Sequence, residues 1–341
     1  MLVRFAVIGL GHIGRRHASL IAAHPGAELA AVCDTRPRAA LDWPTGVAPH
    51  LPLFPSLADL LSTVPVEVAC ICTPNGHHAD QAIRCLNAGL DVVVEKPLAL
   101  TVADCDAILA AADRAGRRVF GVMQNRYSPA SAWLKDIVDA GLLGRIRQVH
   151  LDCFWNRDAR YYRDGSGRPH PWHGDAELDG GVLFTQFAHF IDLLCWVFGA
   201  PRVAGGRLAR QHGGELYPFA DTGQVQFDLP GGILGSLNFS TVVWDQNFES
   251  TLTVIAEEGT VKLGGQYMNE VRYCHARNVT PPALPQSPPA NNYGPYQGSA
   301  ANHHFVIDNV VEVRNGRAEV ATTGAEGRTV VAVIQAIHDR L

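Results

Sequence analysis

The sequence predicts an α/β protein of two domains: an N-terminal domain on a doubly wound parallel sheet, and a C-terminal α/β domain on a large, open, mainly antiparallel sheet. In the first third of the chain, apolar runs of strand length alternate with segments of helical spacing, which is typical of parallel sheets with helices on both faces. Beyond it, strands of alternating polarity follow one another across short glycine-containing breaks. A length of 341 residues suits two domains, placed at 1–122 and 123–341.

The elements of the first domain follow from these patterns. Its predicted strands are RFAVIGL, ELAAVCD, VEVACICTP, DVVVE and RRVFGVM. Its predicted helices are HIGRRHASLIAAHPG, HADQAIRCLNAG and TVADCDAILAAADRAG, the last with Thr101 as its N-cap. Strand–helix–strand units make right-handed crossovers, so the strands are expected to end at one edge of the sheet.

The second domain begins with a helix near 129–140 and the long strand RIRQVHLDCFW, followed by an irregular loop over 156–180 and an apolar helix at about 182–198. The later elements are the strands GQVQFDL, ILGSLNFSTVV, STLTVIAEE, TVKLGG and EVRYCHA, a Pro-rich loop at 279–295, and helices near 300–314 and 326–340. Because few helices are available to cover this sheet, we expect an uncovered apolar face to form the interface of a homo-oligomer, a dimer or tetramer.

Composition narrows the class of partner. No run of about 18 apolar residues is present, so no membrane span is predicted. The net charge of −5 argues against nucleic acid as a partner. The eight cysteines stand in apolar contexts without CxxC spacing, and the chain enters its first strand with no leader-type segment, so we expect a cytoplasmic protein with reduced thiols.

No metal site is predicted from the sequence. Histidines occur in close pairs at His77 and His78, His170 and His173, and His303 and His304. None of these pairs is joined by cysteines or carboxylates at ligand spacing on one predicted face.

A glycine-rich turn follows the first strand in VIGLGHIGRRHASL. Gly9 permits a tight turn, Gly11 lets the backbone approach a pyrophosphate, and Gly14 allows helix and strand to pack closely. The N–H groups at the start of the following helix then face the anion. Glycines at this spacing also occur in ordinary turns, but the preceding strand and following helix make this the fingerprint of a dinucleotide-binding (Rossmann) domain.

An acidic residue stands where such a domain selects its coenzyme. Asp34 ends the second predicted strand, about 20 residues beyond the glycines. A carboxylate there accepts hydrogen bonds from both ribose hydroxyls and repels a 2′-phosphate, so NAD is favoured over NADP. Arg36 and Arg38 are close enough to a 2′-phosphate to keep NADP as an alternative.

Ligands of a doubly wound sheet lie beyond the carboxyl ends of its strands. The polar residues at three of these ends are Thr73, Pro74, Asn75 and His78, then Glu95 and Lys96, then Gln124, Asn125, Arg126 and Tyr127. Lys96 is either an ordinary surface lysine or faces the reacting end of the coenzyme. Its neighbours Glu95 and Pro97 fix the local backbone, which favours the second interpretation.

The second candidate group lies in DGGVLFTQFAHFIDLLCWVFG, residues 179–199. Taken as one helix, this segment carries Thr185, His189 and Asp192 as a polar stripe on an otherwise apolar surface. A single histidine there is usually a core residue, whereas a file of polar residues after a Gly-Gly pair indicates a lined pocket. Asp192 is expected to hold one imidazole nitrogen or to cap neighbouring backbone, and His189 to present its other nitrogen to the pocket.

These motifs resemble the glucose–fructose oxidoreductase/inositol dehydrogenase (Gfo/Idh/MocA) family over nearly the whole chain. The resemblance rests on VIGLGHIGRRH, CTPNGHHADQAIRCLNAGLDVVVEKPLAL, GVMQNRYSPA and LDGGVLFTQFAHFIDLL. It implies an N-terminal NAD(P)-binding domain, a second α/β domain with an open, mainly antiparallel sheet, and an active site between them. By this resemblance Lys96 matches the family's catalytic lysine, Glu95 a coenzyme contact, and His189 the catalytic-site histidine.

Within the family, HLDCFWNRDARYY, FTQFAHFIDLLCWVFG and ANHHFVIDNVVE look like bacterial UDP-N-acetyl-2-amino-2-deoxyglucuronate 3-dehydrogenases. Such enzymes oxidise the C3 hydroxyl of a UDP-linked uronic acid on the way to surface-polysaccharide sugars. The chain departs from this subgroup at 172–174, where Trp-Arg-Gly is usual, and at 302–304, where Asn-His-Asp is usual. Thr185 stands where the wider family often has Asp.

The strand ends and the resemblance together imply contacts for NAD and for a sugar or nucleotide-sugar substrate. The implied coenzyme contacts are Gly9, Gly11, His12, Ile13, Gly14, Asp34, Thr35, Thr73, Pro74, Asn75, His78, Glu95, Lys96, Gln124 and Trp172. The implied substrate contacts are Lys96, Arg126, Tyr127, Arg163, Thr185, Gln186, His189, Asn302 and His303.

The implied reaction is an NAD-dependent oxidation in which Lys96 and His189 flank the reacting hydroxyl. One of them accepts the hydroxyl proton, and the sequence leaves open which one. A dehydrogenase of a free sugar or polyol, such as an inositol, is an alternative that needs no nucleotide pocket. A non-catalytic NAD-binding regulator is a further alternative, because a fold does not determine a function.

Overall fold

The computed structural model describes residues 2–212, 216–285, 289, 298 and 300–341. Residues 286–288 and 290–295 of the Pro-rich segment lie outside the described residues. The chain forms two compact units: Met1–Val122 with His303–Val331, and Met123–Asn302 with Ala332–Leu341. No helix of the described residues combines the length and the apolar character needed to cross a bilayer.

The first unit is a parallel sheet with helices between its strands. Its strands are β1 (Val3–Ile8), β2 (Ala27–Cys33), β3 (Leu53–Phe54), β4 (Val68–Ile71), β5 (Asp91–Val94) and β6 (Val119–Gly121). Its N-terminal helices are α1 (His12–Ala23), α2 (Leu57–Thr63), α3 (His78–Asn87) and α4 (Val102–Ala115). The strand order is β3-β2-β1-β4-β5-β6, with parallel pairing throughout the described sheet, which confirms the predicted doubly wound topology.

The strands of this sheet are continuous apolar runs because helices cover both of its faces. Val92, Val93 and Val94 of β5 are fully buried. Local signals define the helix ends. Thr101 Oγ1 accepts the Asp104 N–H at the start of α4, and Gly116, in the left-handed conformation, ends that helix.

The second unit contains a mainly antiparallel sheet, as predicted. Its described strands are β7 (Ile146–Phe154), β8 (Arg202–Ala209), β9 (Thr222–Leu229), β10 (Ile233–Ser240), β11 (Glu249–Ala256), β12 (Gly259–Gly264) and β13 (Glu270–Ala276). The helices of this part are α5 (Pro129–Asp139), α6 (Ala159–Tyr162), α7 (Val182–Thr185) and α8 (Ala188–Phe198). The strand order is β13-β12-β11-β7-β10-β9-β8, and the neighbours β7 and β10 run parallel.

The two faces of this sheet differ in polarity, as β7 shows. Val149 and Leu151 are fully buried on one face. His150 and Asp152 lie on the other, where His150 Nδ1 is 2.8 Å from Ser236 Oγ. The less buried face thus carries polar side chains, and the exposed apolar side chains of Leu234, Ile255 and Tyr273 lie on it as well. A homo-oligomer formed through this face stays a prediction.

The segment predicted as one helix over 182–198 is two helices, α7 and α8. The Val182 carbonyl accepts both the Gln186 N–H at 2.9 Å and the Phe187 N–H at 3.0 Å, so the helical turn widens here. Thr185 ends one helix and His189 lies in the first turn of the next. The predicted polar stripe on a single helix does not form, because apolar periodicity carries no signal of the widened turn.

Two further helices, α9 (His303–Arg314) and α10 (Gly324–Arg340), close the chain. Residues 303–331 pack with the first unit, although the sequence pattern predicts that they belong to the second domain. Thr322 O accepts the Gly121 N–H at 2.9 Å beside β6. Arg314 donates to Asp91 at 3.0 Å and to Glu67 at 2.5 Å, which fastens α9 to the amino ends of β5 and β4.

Replacing Asp91 by alanine is expected to lower the free energy of unfolding by about 3 kcal/mol. The change leaves Arg314 and the Arg118 backbone N–H without their buried acceptor. Denaturant unfolding measures the loss. Asp106→Ala, which removes the exposed partner of Arg328 in α10, is the matched control and should change stability little. Equal losses in the two variants contradict this role of Asp91.

Candidate active site

The glycine turn between β1 and α1 has the shape that a dinucleotide pyrophosphate needs. Gly9 has a φ of 87°, and a Cβ there would lie 2.8 Å from Cys72 O. A Cβ on Gly14 would lie 1.8 Å from Gly9 O, so neither position has room for a side chain. A Cβ on Gly11 would meet nothing within 4 Å, and Gly11 as N-cap of α1 offers no side-chain oxygen. An anion therefore has an open approach to the helix N-terminus, where His12 and Ile13 lie.

Asp34 follows β2 and is almost buried. Its carboxylate accepts the Leu10 N–H at 2.8 Å and the Arg36 N–H at 2.9 Å. Burial favours the neutral carboxyl, but the hydrogen bonds from Arg36 and Leu10 outweigh burial and lower the pKa of Asp34. An ionised carboxylate beside the glycine turn fits a coenzyme ribose, and the neighbouring Thr35 is exposed.

His78 ties together the loops that follow β4 and β5. Its Nδ1 is 2.8 Å from Pro97 O, its Nε2 is 2.9 Å from Thr73 O, and burial lowers its pKa. Pro74 precedes a short turn that begins at Asn75, which is also buried. His78 is therefore buried at the carboxyl ends of the strands, and its contact with Pro97 fixes the loop that contains Lys96.

A buried carboxylate adjoins Lys96. Glu95 Oε1 is 2.9 Å from His17 Nε2 and 3.7 Å from His303 Nε2, and Glu95 Oε2 accepts the Lys96 backbone N–H at 3.2 Å. Burial raises the pKa of Glu95, but the hydrogen bond to His17 and the attraction of His17, His303 and Lys96 outweigh burial and bring the pKa to about 2. Glu95 is therefore ionised at neutral pH.

His303 has no exposed surface, and the substrate contact that the sequence suggests for it stays a prediction. Burial lowers its pKa to about 3, so the ring is neutral at neutral pH. His17, Glu95 and His303 bring ligand-type atoms within 4.8 Å of one another, a grouping that no sequence spacing indicated. The 2.9 Å between His17 and Glu95 is a hydrogen-bond distance, so we interpret the group as an anchor for the carboxylate.

In the second unit, Gln124 holds His189. Gln124 Nε2 is 3.0 Å from His189 Nε2, and both side chains are buried. The backbone of Gln124 is itself fixed, because Asn302 Nδ2 donates to the Gln124 carbonyl at 3.3 Å and to Ser128 Oγ at 3.2 Å. The sequence predicts that Gln124 contacts the coenzyme. The structure shows that Gln124 also orients the imidazole of His189.

Asp192 pairs with Arg126 in a buried bidentate contact. Arg126 Nε donates to Asp192 Oδ2 at 2.8 Å and Arg126 Nη2 donates to Oδ1 at 2.6 Å. The guanidinium lies 5.3 Å from the ring centroid of Trp196. The structure thus gives Asp192 a guanidinium partner and His189 an amide partner, which differs from the expected Asp192–His189 arrangement. A uronate contact by Arg126 stays a prediction.

Thr185 is linked to an acid that sequence reasoning missed. Its hydroxyl donates to Asp179 Oδ1, and Asp179 Oδ2 accepts the Gly174 N–H at 2.8 Å. Asp179 is almost fully buried. The wider family often has Asp at the position of Thr185. In this chain the carboxylate of Asp179 lies beside that threonine instead. The signal lay in the Asp of the LDGG motif, immediately before the helix.

Stacked rings order the loop that the sequence predicts as irregular. Tyr161 stacks on His173 with centroids 4.1 Å apart, and His173 stacks on His170 at 3.8 Å. Gln186 Nε2 donates to the Tyr161 hydroxyl at 3.0 Å, which connects the loop to the widened turn. These contacts place Gln186 and the loop side by side in the second unit.

The remaining predicted contacts also lie in this unit. Trp172 packs edge-on against His173 at 4.1 Å. Arg163 donates to Gly167 O at 3.0 Å and is partly exposed. Tyr127 ends the short turn that begins at Gln124. Their contacts with coenzyme or substrate stay predictions.

Two family profiles match the chain. One, described as an oxidoreductase family with an NAD-binding Rossmann fold, matches residues 3–122, and the other, described as the GFO/IDH/MocA C-terminal domain, matches residues 132–262. The chain belongs to the Gfo/Idh/MocA oxidoreductase family. Residues 3–122 are therefore an NAD-binding Rossmann domain, and the predicted family and coenzyme are confirmed.

Two solved dehydrogenases resemble the chain over nearly its full length. The WlbA dehydrogenase of Bordetella pertussis, crystallised with NADH and UDP-GlcNAcA, has a TM-score of 0.86 and 30% identity, covering 100% of this chain and 96% of that one. The WlbA dehydrogenase of Chromobacterium violaceum, in complex with the same two molecules, has a TM-score of 0.85 and 29% identity over 99% and 93% of the two chains.

Curated relatives are similar over shorter stretches. Inositol 2-dehydrogenase of Salmonella typhimurium is 36% identical over 155 residues, which is 44% of this chain and 45% of the relative. The chain thus spans under half the length of the inositol dehydrogenases it matches at this identity.

Glu95→Gln is expected to make stability less sensitive to acid. The pKa of Glu95 falls from an ordinary 4.5 to about 2 on folding, so its ionised form contributes fully above pH 4.5 and its contribution is lost as the pH falls through about 2. The stability difference between wild type and variant should therefore be about 3 kcal/mol larger at neutral pH than at the acid end. Denaturant unfolding at successively lower pH tests this expectation.

Glu312→Gln is the control, because Glu312 and its partner Arg317 are both exposed at the surface. Its difference from wild type should vary much less with pH. A Glu95→Gln difference that stays constant with pH shows that the folded carboxylate is not held ionised.

Proposed function

We propose that the chain oxidises the C3 hydroxyl of a UDP-linked N-acetylglucosaminuronic acid to a 3-keto sugar, in the synthesis of bacterial surface-polysaccharide sugars. The observation that carries the proposal is the full-length likeness to two WlbA dehydrogenases whose structures contain NADH and UDP-GlcNAcA. Local contacts of the candidate residues support the chemistry, and bound NAD supplies the hydride acceptor.

The charge at Glu95 suggests the role of Lys96. Glu95 is ionised and buried, and His303 is neutral. Lys96 is a neighbouring cation whose attraction helps to lower the pKa of Glu95, and by reciprocity Glu95 stabilises the Lys96 ammonium. We therefore assign Lys96 to hydrogen-bond donation toward the substrate oxygen, where it favours the developing alkoxide.

His189 then accepts the hydroxyl proton. The Gln124 amide lies 3.0 Å from His189 Nε2, and we assign the lone pair to that ring nitrogen and the ring proton to Nδ1. Nε2 is thus the basic atom, and Gln124 releases it as the substrate hydroxyl arrives. The alcohol loses its O–H proton to His189 and its C–H hydrogen as hydride, which leaves a ketone.

A dehydrogenase of a free polyol is the second candidate, favoured by the identity with inositol 2-dehydrogenases over the matched region. The two proposals differ in the need for a nucleotide. Arg163, which lies in the loop ordered by stacked rings and is partly exposed, is a residue we propose for binding the diphosphate or the uronate carboxylate.

NADH formation with UDP-GlcNAcA, UDP-GlcNAc and myo-inositol separates the candidates. We expect turnover with UDP-GlcNAcA, and calorimetric binding of UDP alone. Turnover of myo-inositol without UDP binding supports the polyol enzyme. Coenzyme binding without turnover on a broad panel of sugars and sugar nucleotides favours a non-catalytic regulator.

Lys96→Met and His189→Ala are each expected to lower kcat by about 10²–10⁴-fold, because each removes a group that acts on the proton or the oxygen of the alcohol. NADH binding, measured by fluorescence, should change much less than kcat. Lys135→Met, which removes one end of an exposed pair with Asp139, is the control and should keep full activity. Near wild-type turnover in both site variants refutes the assignment.

Glu95→Gln also distinguishes the two possible roles of Lys96. Removing the carboxylate charge destabilises the ammonium, so Lys96 loses its proton at lower pH. If the ammonium is the working form, the basic limb of the kcat/KM profile shifts toward lower pH. A shift of the acid limb toward lower pH instead identifies neutral Lys96 as the base.

A further inference from the structure

The Asp34 carboxylate, which is expected to bind the diol of the coenzyme ribose, is paired with the Arg36 guanidinium in this structure. Its carboxylate accepts the backbone N–H of Leu10 at Oδ2 (2.8 Å) and that of Arg36 at Oδ1 (2.9 Å). The Arg36 side chain adds Nε at 2.9 Å from Oδ1 and Nη2 at 2.9 Å from Oδ2. A carboxylate offers about four lone-pair positions, so these four donors fill it.

The two kinds of donor differ in mobility. The backbone N–H groups of Leu10 and Arg36 belong to the glycine turn and to the loop after β2, and they hold the carboxylate in place. The Arg36 side chain is 50% exposed, and exposed ion pairs are weak. The two acceptor positions that this side chain fills are therefore the ones that a ligand can take over.

A ribose diol presents two O–H donors on adjacent carbons, which match two acceptor positions of one carboxylate. We propose that Arg36 determines coenzyme specificity: its guanidinium must leave Asp34 when NAD binds, and the released guanidinium neutralises a 2′-phosphate, so the site accepts NADP as well as NAD. The guanidinium fork suits a phosphate group.

Arg38 and Arg15, two other arginines of this part of the first unit, have hydrogen-bond partners other than Asp34. The Arg38 guanidinium donates to Pro49 O at 2.5 Å and to Leu51 O, and it lies 3.7 Å from the ring centroid of Trp43. Arg15 donates to Asp42 at 2.8 Å. Arg36 differs from both because its partner is the ribose-binding carboxylate itself.

The test is binding of NADH and NADPH to the intact chain, measured by calorimetry. No sugar is needed, so the result is independent of the proposed function. Wild type is expected to bind both, NADPH roughly ten- to a hundredfold more weakly. Arg36→Ala should bind NADH about threefold more tightly, since the competitor is gone. It should bind NADPH at least about tenfold more weakly, since the phosphate then faces Asp34 alone.

Arg160→Ala is the matched control, because Asp158 and Arg160 repeat the arrangement in the second unit. Arg160 N–H and Nε lie 2.9 and 3.0 Å from Asp158 Oδ1, and Nη2 lies 2.8 Å from Oδ2. Both dissociation constants should stay unchanged in this variant. Arg36→Lys, which keeps a cation without the fork, should retain most of the NADPH binding.

Thermal unfolding of each variant confirms that it is folded before binding is compared. The proposal fails if wild type shows no measurable NADPH binding. It also fails if Arg36→Ala changes the two coenzymes by the same factor, or weakens NADH more than NADPH.

Discussion

The buried carboxylate of Glu95 sets the constraint on which the first unit depends. A charge in a protein interior is costly unless hydrogen bonds and opposite charges compensate it. Here α1 supplies the hydrogen bond of His17, the strand end itself supplies the Lys96 ammonium, and α9 places the neutral His303 ring beside the carboxylate. The same contacts that keep the carboxylate ionised hold α1, β5 and α9 in register. The lysine is thus positioned by a charge and not by packing alone.

The second unit also contains buried polar side chains, and several small hydrogen-bond networks satisfy them. Gln124 orients His189, Asp192 takes the Arg126 guanidinium, and Asp179 takes the Thr185 hydroxyl. Each network satisfies a buried polar group at close range, which limits the rotamers available to its members. The widened turn between α7 and α8 separates Thr185 from His189, so each side chain takes its direction from its own helix.

Local signals in the sequence were sufficient for the parallel sheet, the glycine turn and the residues at the strand ends. Each of these features depends on residues that are close together in the sequence, as with Glu95 and Lys96 directly after β5. The contact between His17 and Glu95 was not predictable in this way, because it joins positions 78 residues apart. The same holds for Asp91 and Arg314. The spacing of the apolar residues over 182–198 fits one continuous helix as well as it fits two. The carbonyl shared at Val182 changes the backbone hydrogen bonds and does not change the hydropathy pattern.

The chain passes from one unit to the other at 122/123, 302/303 and 331/332, and this sets how the protein can be dissected. A fragment that stops at Val122 lacks the Thr322 carbonyl at the rim of β6, the Arg314 clamp on Asp91, and the imidazole of His303 beside Glu95. An autonomous coenzyme-binding fragment therefore has to be spliced, with residues 303–331 joined to 1–122 through an artificial linker.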